Sequence, residues 1–212
     1  MADPLVIAVD GPAASGKGTI SKQLAQHFGL KHLDTGLIYR AVGLAMLESG
    51  GDLDDRAACE TVAKSLDLTK LDPNVLAQHH VGEAASKVAV HPPVRAALLN
   101  AQRAFAGTHP GAVLDGRDIG TVVCPNAPAK LFITASLEAR AQRRHAQAVQ
   151  KDPSVTLDAI KVDLAKRDAR DAGRAQAPLA QASDALLLDT TNLGIDAAFE
   201  AARAFVATKL HA

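Results

Sequence analysis

Apolar positions along the chain cluster in short continuous runs, and the stretches between them repeat with helical period. Leu5–Val9 is apolar throughout, as a strand buried on both faces requires. Lys31–Leu33, Ala112–Leu114, Lys130–Ile133 and Ala185–Leu188 read as further strands. Helices are predicted over Lys17–Phe28, Gly36–Leu47, Val94–Ala106, Leu137–Val149, Val155–Asp171 and Ile195–Leu210. Several strands run into a polar residue at a turn: Asp10, Asp34, Asp115, Thr134 and Asp189. Alternating strands and helices imply an α/β fold of three layers, with a five-stranded parallel sheet between helices. In such folds ligands gather at the carboxyl ends of the strands.

Two stretches break the alternation. Residues 50–93 hold no strand pattern and read as an insert within a single domain spanning 1–212. Residues 147–157 are polar with a proline and suit a small lid. His79 and His80 lie in the insert. Adjacent histidines rarely share a metal, so both are expected in solvent.

Composition narrows the function. Lys plus Arg and Asp plus Glu each number 23 among 212 residues, so no global basic field exists for nucleic acid. Aromatic residues are 3%, too few for base-stacking platforms. Cys59 and Cys124 have no metal-ligand spacing and read as reduced core thiols. No apolar run approaches a membrane span, and no signal-peptide pattern opens the chain. The expectation is a cytoplasmic, monomeric protein without nucleic-acid or membrane partners.

The densest chemical signal follows the first strand. Gly11-Pro12-Ala13-Ala14-Ser15-Gly16-Lys17-Gly18-Thr19 has the spacing of a loop that cradles phosphates before a helix. Glycines free the backbone to turn successive N–H groups toward one anion, and the helix N-terminus points at the same place. Lys17 adds charge for the β- and γ-phosphates of ATP. The hydroxyl usually found directly after the lysine comes one residue late, as Thr19.

A second signal lies on the helix beginning near Val155. Leu157, Ile160 and Leu164 mark a buried stripe, and the same spacing continues to Arg167, Asp171 and Arg174. Charges aimed inward must be paired or bound to a ligand. An internal ion network and a site for an anion and sugar hydroxyls both satisfy that demand, and the phosphate loop favours the second. Arg140, Arg143 and Arg144 form another cluster near the lid, either a solvated face or phosphate contacts. Asp115 ends a core strand, a usual place for a Mg²⁺ ligand, direct or through water. Arg117 suits a phosphate, and Asp118 can accept from an exocyclic amine. Thr35 reads as a helix N-cap, with Arg40 one turn into the helix.

A GTPase switch would carry an Asn-Lys-x-Asp motif, and the chain has none. Over nearly its whole length the sequence resembles the bacterial cytidylate kinases. The resemblance rests on Gly11–Thr19, Leu33–Arg40, Ala84–Ala89, Val94-Arg95, Asp115–Val123 and Lys166–Asp171. It implies ATP bound by residues 11–19, with Mg²⁺, and CMP or dCMP as acceptor. Ser86, Arg95 and Asp118 would read cytosine. Arg167 and Asp171 would hold the ribose, and Thr35, Arg40, Arg117 and Arg174 would surround the acceptor phosphate. Lys17, Arg117 and Arg174 would be catalytic. Two departures stand out: Thr35 where Ser is common, and a short segment near Leu68–Val81 without strand pattern, so that the small antiparallel sheet many family members carry there is expected to be missing or reduced. The competing readings are a small kinase of another monophosphate and an ATP-binding module without turnover.

Overall fold

A computed structural model of the chain describes residues 4–67, 71–150 and 152–210. It separates into two compact units, Met1–Leu33 with Ala106–Ala212, and Asp34–Phe105.

The first unit is built on a five-stranded parallel sheet. Its strands are β1 (Leu5–Asp10), β2 (Lys31–Asp34), β3 (Gly111–Gly116), β4 (Ala129–Thr134) and β5 (Leu186–Asp189), in the order β2-β3-β1-β4-β5. β1 runs parallel to β3 on one side and to β4 on the other, and Asp10 pairs in register with Gly116 and Phe132. β1 therefore sits where the connections change direction, the place at which open α/β sheets bind ligands. Helices α1 (Lys17–Phe28), α7 (Leu137–Ala148), α8 (Leu157–Ala172) and α9 (Ile195–Leu210) complete the unit. Ile7, Val9, Val113, Leu131 and Ile133 of the sheet pack with Ile20 and Leu24 of α1 and Ala202 and Val206 of α9. β1 and β3 reach one or two residues past their apolar runs, so Asp10 and Asp115 lie inside the sheet, both buried.

The second unit is helical: α2 (Thr35–Glu48), α3 (Arg56–Ser65), α4 (Pro73–Leu76), α5 (His79–Val88) and α6 (Pro92–Ala106). The expected insert, 50–93, is thus the middle of a larger unit that also includes α2 and α6. Among its described residues there is no strand. Leu68–Lys70 of the shortened segment and Lys151 of the expected lid lie outside the described residues. α2 packs against α5, and Gly43 makes this possible: a Cβ there would come within 2.9 Å of Ala84 Cβ and Ala85 N. His80 is exposed, as expected.

Candidate active site

The glycine loop leaves β1 and enters α1 within the first unit. Gly11 has φ 150°, and a Cβ there would overlap the Ile133 carbonyl. Gly16 takes φ 89° as the N-cap of α1 and supplies no side-chain cap. The first N–H groups of α1 thus have no capping side chain, and an anion can take that place. Ala14 holds φ 61°, a left-handed conformation that costs an alanine about 1 kcal/mol. Ser15 is fully buried, and its Oγ has no hydrogen-bond partner among the described residues. Lys17 opens α1, whereas Thr19 is exposed on the helix.

Asp10 fastens the loop to its neighbour. Its carboxylate accepts from Ile119 N and Gly120 N, both at 2.7 Å. Those two amides begin a single π-helical turn, Ile119–Val123, directly after Asp118. Burial pushes the Asp10 carboxyl up to about 6, against the pull of both amides. From the sequence Asp10 was legible only as the end of a strand.

Asp115 lies on β3 beside the loop. Its Oδ2 is 2.7 Å from His32 Nε2, a partner that the sequence did not single out. Its Oδ1 lies 4.0 Å from where a Cβ on Gly18 would stand. Residue 18 is the position whose hydroxyl ordinarily helps hold a metal in such loops, so a carboxylate stands close to where that hydroxyl would be. Mg²⁺ in phosphate sites takes one or two protein oxygens and draws the rest from phosphates and water. Asp115 offers one such oxygen beside the loop; among the described residues there is no group of three or more His, Cys, Asp or Glu side chains that could hold a metal.

Arg117 and Asp118 follow β3 at the same end of the sheet from which the loop leaves β1. Arg117 Nε donates to Asp171 Oδ2 at 2.8 Å, and Arg174 Nη2 donates to Asp171 Oδ1. Asp171 is 1% exposed. Burial alone would raise its carboxyl, but Arg117, Arg174 and Arg167 outweigh it and hold it below the ordinary range. Three guanidinium groups thus act on one buried carboxylate. The structure therefore contains the ion network that the sequence offered beside a ligand site. Ile160, Leu164 and Asp171 are buried on α8 as the stripe predicted, but Arg174 is not part of the helix. α8 ends at Ala172, is capped by Gly173, and the chain turns back to reach Asp171.

Two arginines of α7, Arg140 and Arg143, are bonded within the protein instead of standing on a solvated face. Arg140 is buried and forms a fork-to-fork pair with Asp168 of α8, Nη1 to Oδ1 at 3.1 Å and Nη2 to Oδ2 at 2.6 Å. Its Nη1 also lies 3.2 Å from the carbonyl of Ala13 in the glycine loop. Arg143 donates to Thr190 Oγ1 at 3.0 Å and to the Thr190 carbonyl. Helical spacing put these side chains on one face but could not say what that face meets.

In the second unit the N-cap of α2 is Asp34, not Thr35: Asp34 Oδ1 accepts from Gly36 N at 2.9 Å. Thr35 is the first helical residue and is buried. Asp outcompetes Thr here because its carboxylate reaches two residues ahead as an Asx turn. Arg40 Nη1 donates to the carbonyls of Leu76 and Gln78 at 2.7 and 3.2 Å. Its guanidinium fits because residue 82 is glycine, where a Cβ would come within 2.9 Å of Nη2. Arg95 places its Cζ 5.5 Å from the centre of the Tyr39 ring and donates to the Ala89 carbonyl. Tyr39 was not foreseen in this role. Ser86 is buried on α5, and its Oγ has no hydrogen-bond partner among the described residues.

A family model described as cytidylate kinase matches residues 7–207. A cytidylate kinase of Azorhizobium caulinodans is 57% identical over 202 residues, covering 95% of this chain and 98% of the relative. One from Rhizobium meliloti is 56% identical over 201 residues, covering 95% of each. Among solved structures, a gluconokinase from Sinorhizobium meliloti aligns with a TM-score of 0.51 at 14% identity, covering 98% of this chain and 94% of that one. An uncharacterized protein from Eubacterium ventriosum aligns with a TM-score of 0.56 at 14% identity, covering 96% and 99%. At that identity the two structures bear on the fold alone.

Proposed function

The chain belongs to the cytidylate kinase family, and on that premise we propose how its own residues divide the work. It is an ATP-dependent phosphotransferase that moves the γ-phosphoryl of ATP to CMP or dCMP, giving the diphosphate and ADP. The acceptor's second pKa is about 6, so at neutral pH it is already mostly dianionic and needs no general base. The obstacle is the approach of two polyanions. Positive charge placed on the path of transfer removes it.

Residues 11–19 hold the ATP phosphates, with Lys17 on the β- and γ-groups. Mg²⁺, when bound, neutralises phosphate charge, and Asp115 is the residue of this chain that we assign to it, directly or through water. Arg117 and Arg174 take the acceptor phosphate, joined by Thr35 and Arg40. The observation that carries this reading is the buried cluster in which Asp171 gathers Arg117 and Arg174, Arg117 directly following the strand next to the glycine loop. Asp171 fixes two arginines and retains lone pairs for a ribose hydroxyl, with Arg167 beside it.

For the base, Asp118 and Ser86 are acceptors suited to the cytosine amine, and Arg95 is a donor suited to its ring acceptors. The unpartnered, buried hydroxyl of Ser86 supports a ligand there. Residues 50–93 serve as the monophosphate-binding insert and 147–157 as a lid that excludes water. The enzyme works as a monomer in the cytoplasm; the unbonded state of Cys59 and Cys124 supports that compartment.

Replacing Asp118 with Ala tests the base assignment. Uracil carries an oxygen where cytosine carries the amine, so loss of the carboxylate should lower kcat/KM for CMP by about a hundredfold or more and for UMP far less. Equal losses on both substrates would remove Asp118 from base reading.

A further inference from the structure

The glycine loop is shaped from outside as well as by its own glycines. Two of its carbonyls are held by side chains from elsewhere in the first unit. Ala13 O accepts from Arg140 Nη1 at 3.2 Å, and Ser15 O lies 3.0 Å from Thr190 Oγ1, whose one proton it shares with Thr134 O at the same distance. Both partners are buried, Arg140 at 5% and Thr190 at 3% exposure. In a trans peptide the carbonyl of one residue and the N–H of the next point in opposite directions. Fixing Ala13 O toward Arg140 therefore turns the Ala14 N–H away from Arg140. Fixing Ser15 O toward Thr190 turns the Gly16 N–H away from Thr190. Each bond sets the direction of an amide available to the phosphates.

The Ala13–Ala14 peptide has the greater need of such a hold. Ala14 occupies the left-handed region at φ 61° without the freedom of glycine. An unheld alanine there would relax toward φ below zero, and the 13–14 peptide would rotate with it. Arg140 is itself immobilised. Its Nε donates to Ala135 O at 2.9 Å, and its fork meets Asp168. Asp168 precedes Asp171 by three residues on α8, so the helix that carries the anion cluster also holds the arginine that shapes the donor loop.

We propose that Arg140, held by Asp168, is a positioning residue for ATP: it fixes the Ala13 carbonyl outward so that the Ala14 amide faces the triphosphate. The inference rests on residues 11–19 being the ATP loop. An alternative is that the pair only staples α7 to α8, in which case stability changes and nucleotide affinities shift together.

The double variant Arg140→Met/Asp168→Leu separates these. Apolar residues of similar size often replace a buried ion pair without loss of stability, so the fold is retained while the Ala13 contact is removed. Equilibrium titration with a non-hydrolysable ATP analogue should show binding weakened about tenfold or more, with CMP binding changed less than about threefold. In amide NMR spectra of the folded double variant, the Ala14 resonance should lose its response to the analogue while Gly16, held by Thr190, keeps its own. Arg140→Lys provides a second arm, because it keeps the charge but lacks the planar fork that meets Asp168 and Ala13 O together; analogue binding should weaken at least threefold. Unchanged analogue affinity in either folded variant, or equal weakening for the analogue and CMP, would overturn the proposal. Lys17→Ala is the control for its premise: if that variant binds the analogue normally, the loop assignment itself has failed. If Lys17→Ala loses binding and the Arg140 variants do not, only the role of Arg140 has failed.

Discussion

Asp10 shows how much one buried carboxylate can do beneath a phosphate loop. It closes two amides of the turn after Asp118 at 2.7 Å each, and burial lifts its pKa to about 6 from an ordinary 3.8. Because the folded value is the higher one, the native state binds more protons between those values. Stability from this group is fully present below about 3.8 and is lost as pH rises through 6. Asn at this position does not titrate. The stability of the wild type relative to Asp10→Asn should therefore fall by about 1 kcal/mol between pH 5 and 7, measured by urea unfolding. A difference that stays flat or grows over that range would show that burial does not dominate. At this scale the sequence was informative where a residue's surroundings follow from its own element. Asp171 was visible as a charge on an apolar stripe. The partner of Arg140 and the roles of His32 and Tyr39 were not, because the contacting residues lie 28, 83 and 56 residues away in the chain. Thr35 was misread as the cap because Asp34, one place earlier, reaches the same helix end with a stronger acceptor.

Among the elements, α2 and α5 define the helical unit, and their separation is set by Gly43. A methyl group there would meet Ala84 Cβ and Ala85 N at 2.9 Å, and one of those atoms belongs to backbone that cannot swing aside. Gly43→Ala should cost about 1–3 kcal/mol by overpacking, read as a lowered denaturation midpoint. An unchanged or raised midpoint would mean that the helices part without strain. Strands and long helices were legible in the sequence because continuous apolar runs and a 3.6-residue period are strong local signals. The short helix Pro73–Leu76 and the π-helical turn at Ile119–Val123 were not. The turn is held by Asp10 from 109 residues away, which no local pattern records. The end of α8 was read to within one residue, but the charged stripe was carried on to Arg174, past the helix end at Ala172, where an ion pair to Asp171 takes over.

For the molecule as a whole, the alternation of strands and helices was enough to predict a parallel sheet with its ligands at the strand ends. The strand order β2-β3-β1-β4-β5 then puts the glycine loop and the Arg117 segment on neighbouring strands. The extent of the helical unit was less legible, because α2 and α6 have the same period as helices that cover a sheet. Only their packing partners assign them to residues 34–105. The central claim is that ATP bound at residues 11–19 phosphorylates a cytidine monophosphate. The most direct test measures ADP release from ATP and Mg²⁺ with CMP, dCMP, UMP, AMP and GMP in turn. Release should be rapid with CMP and dCMP, slower with UMP, and at background with AMP and GMP. Preferential turnover of AMP or GMP, or ADP release that does not depend on an acceptor, would contradict the claim.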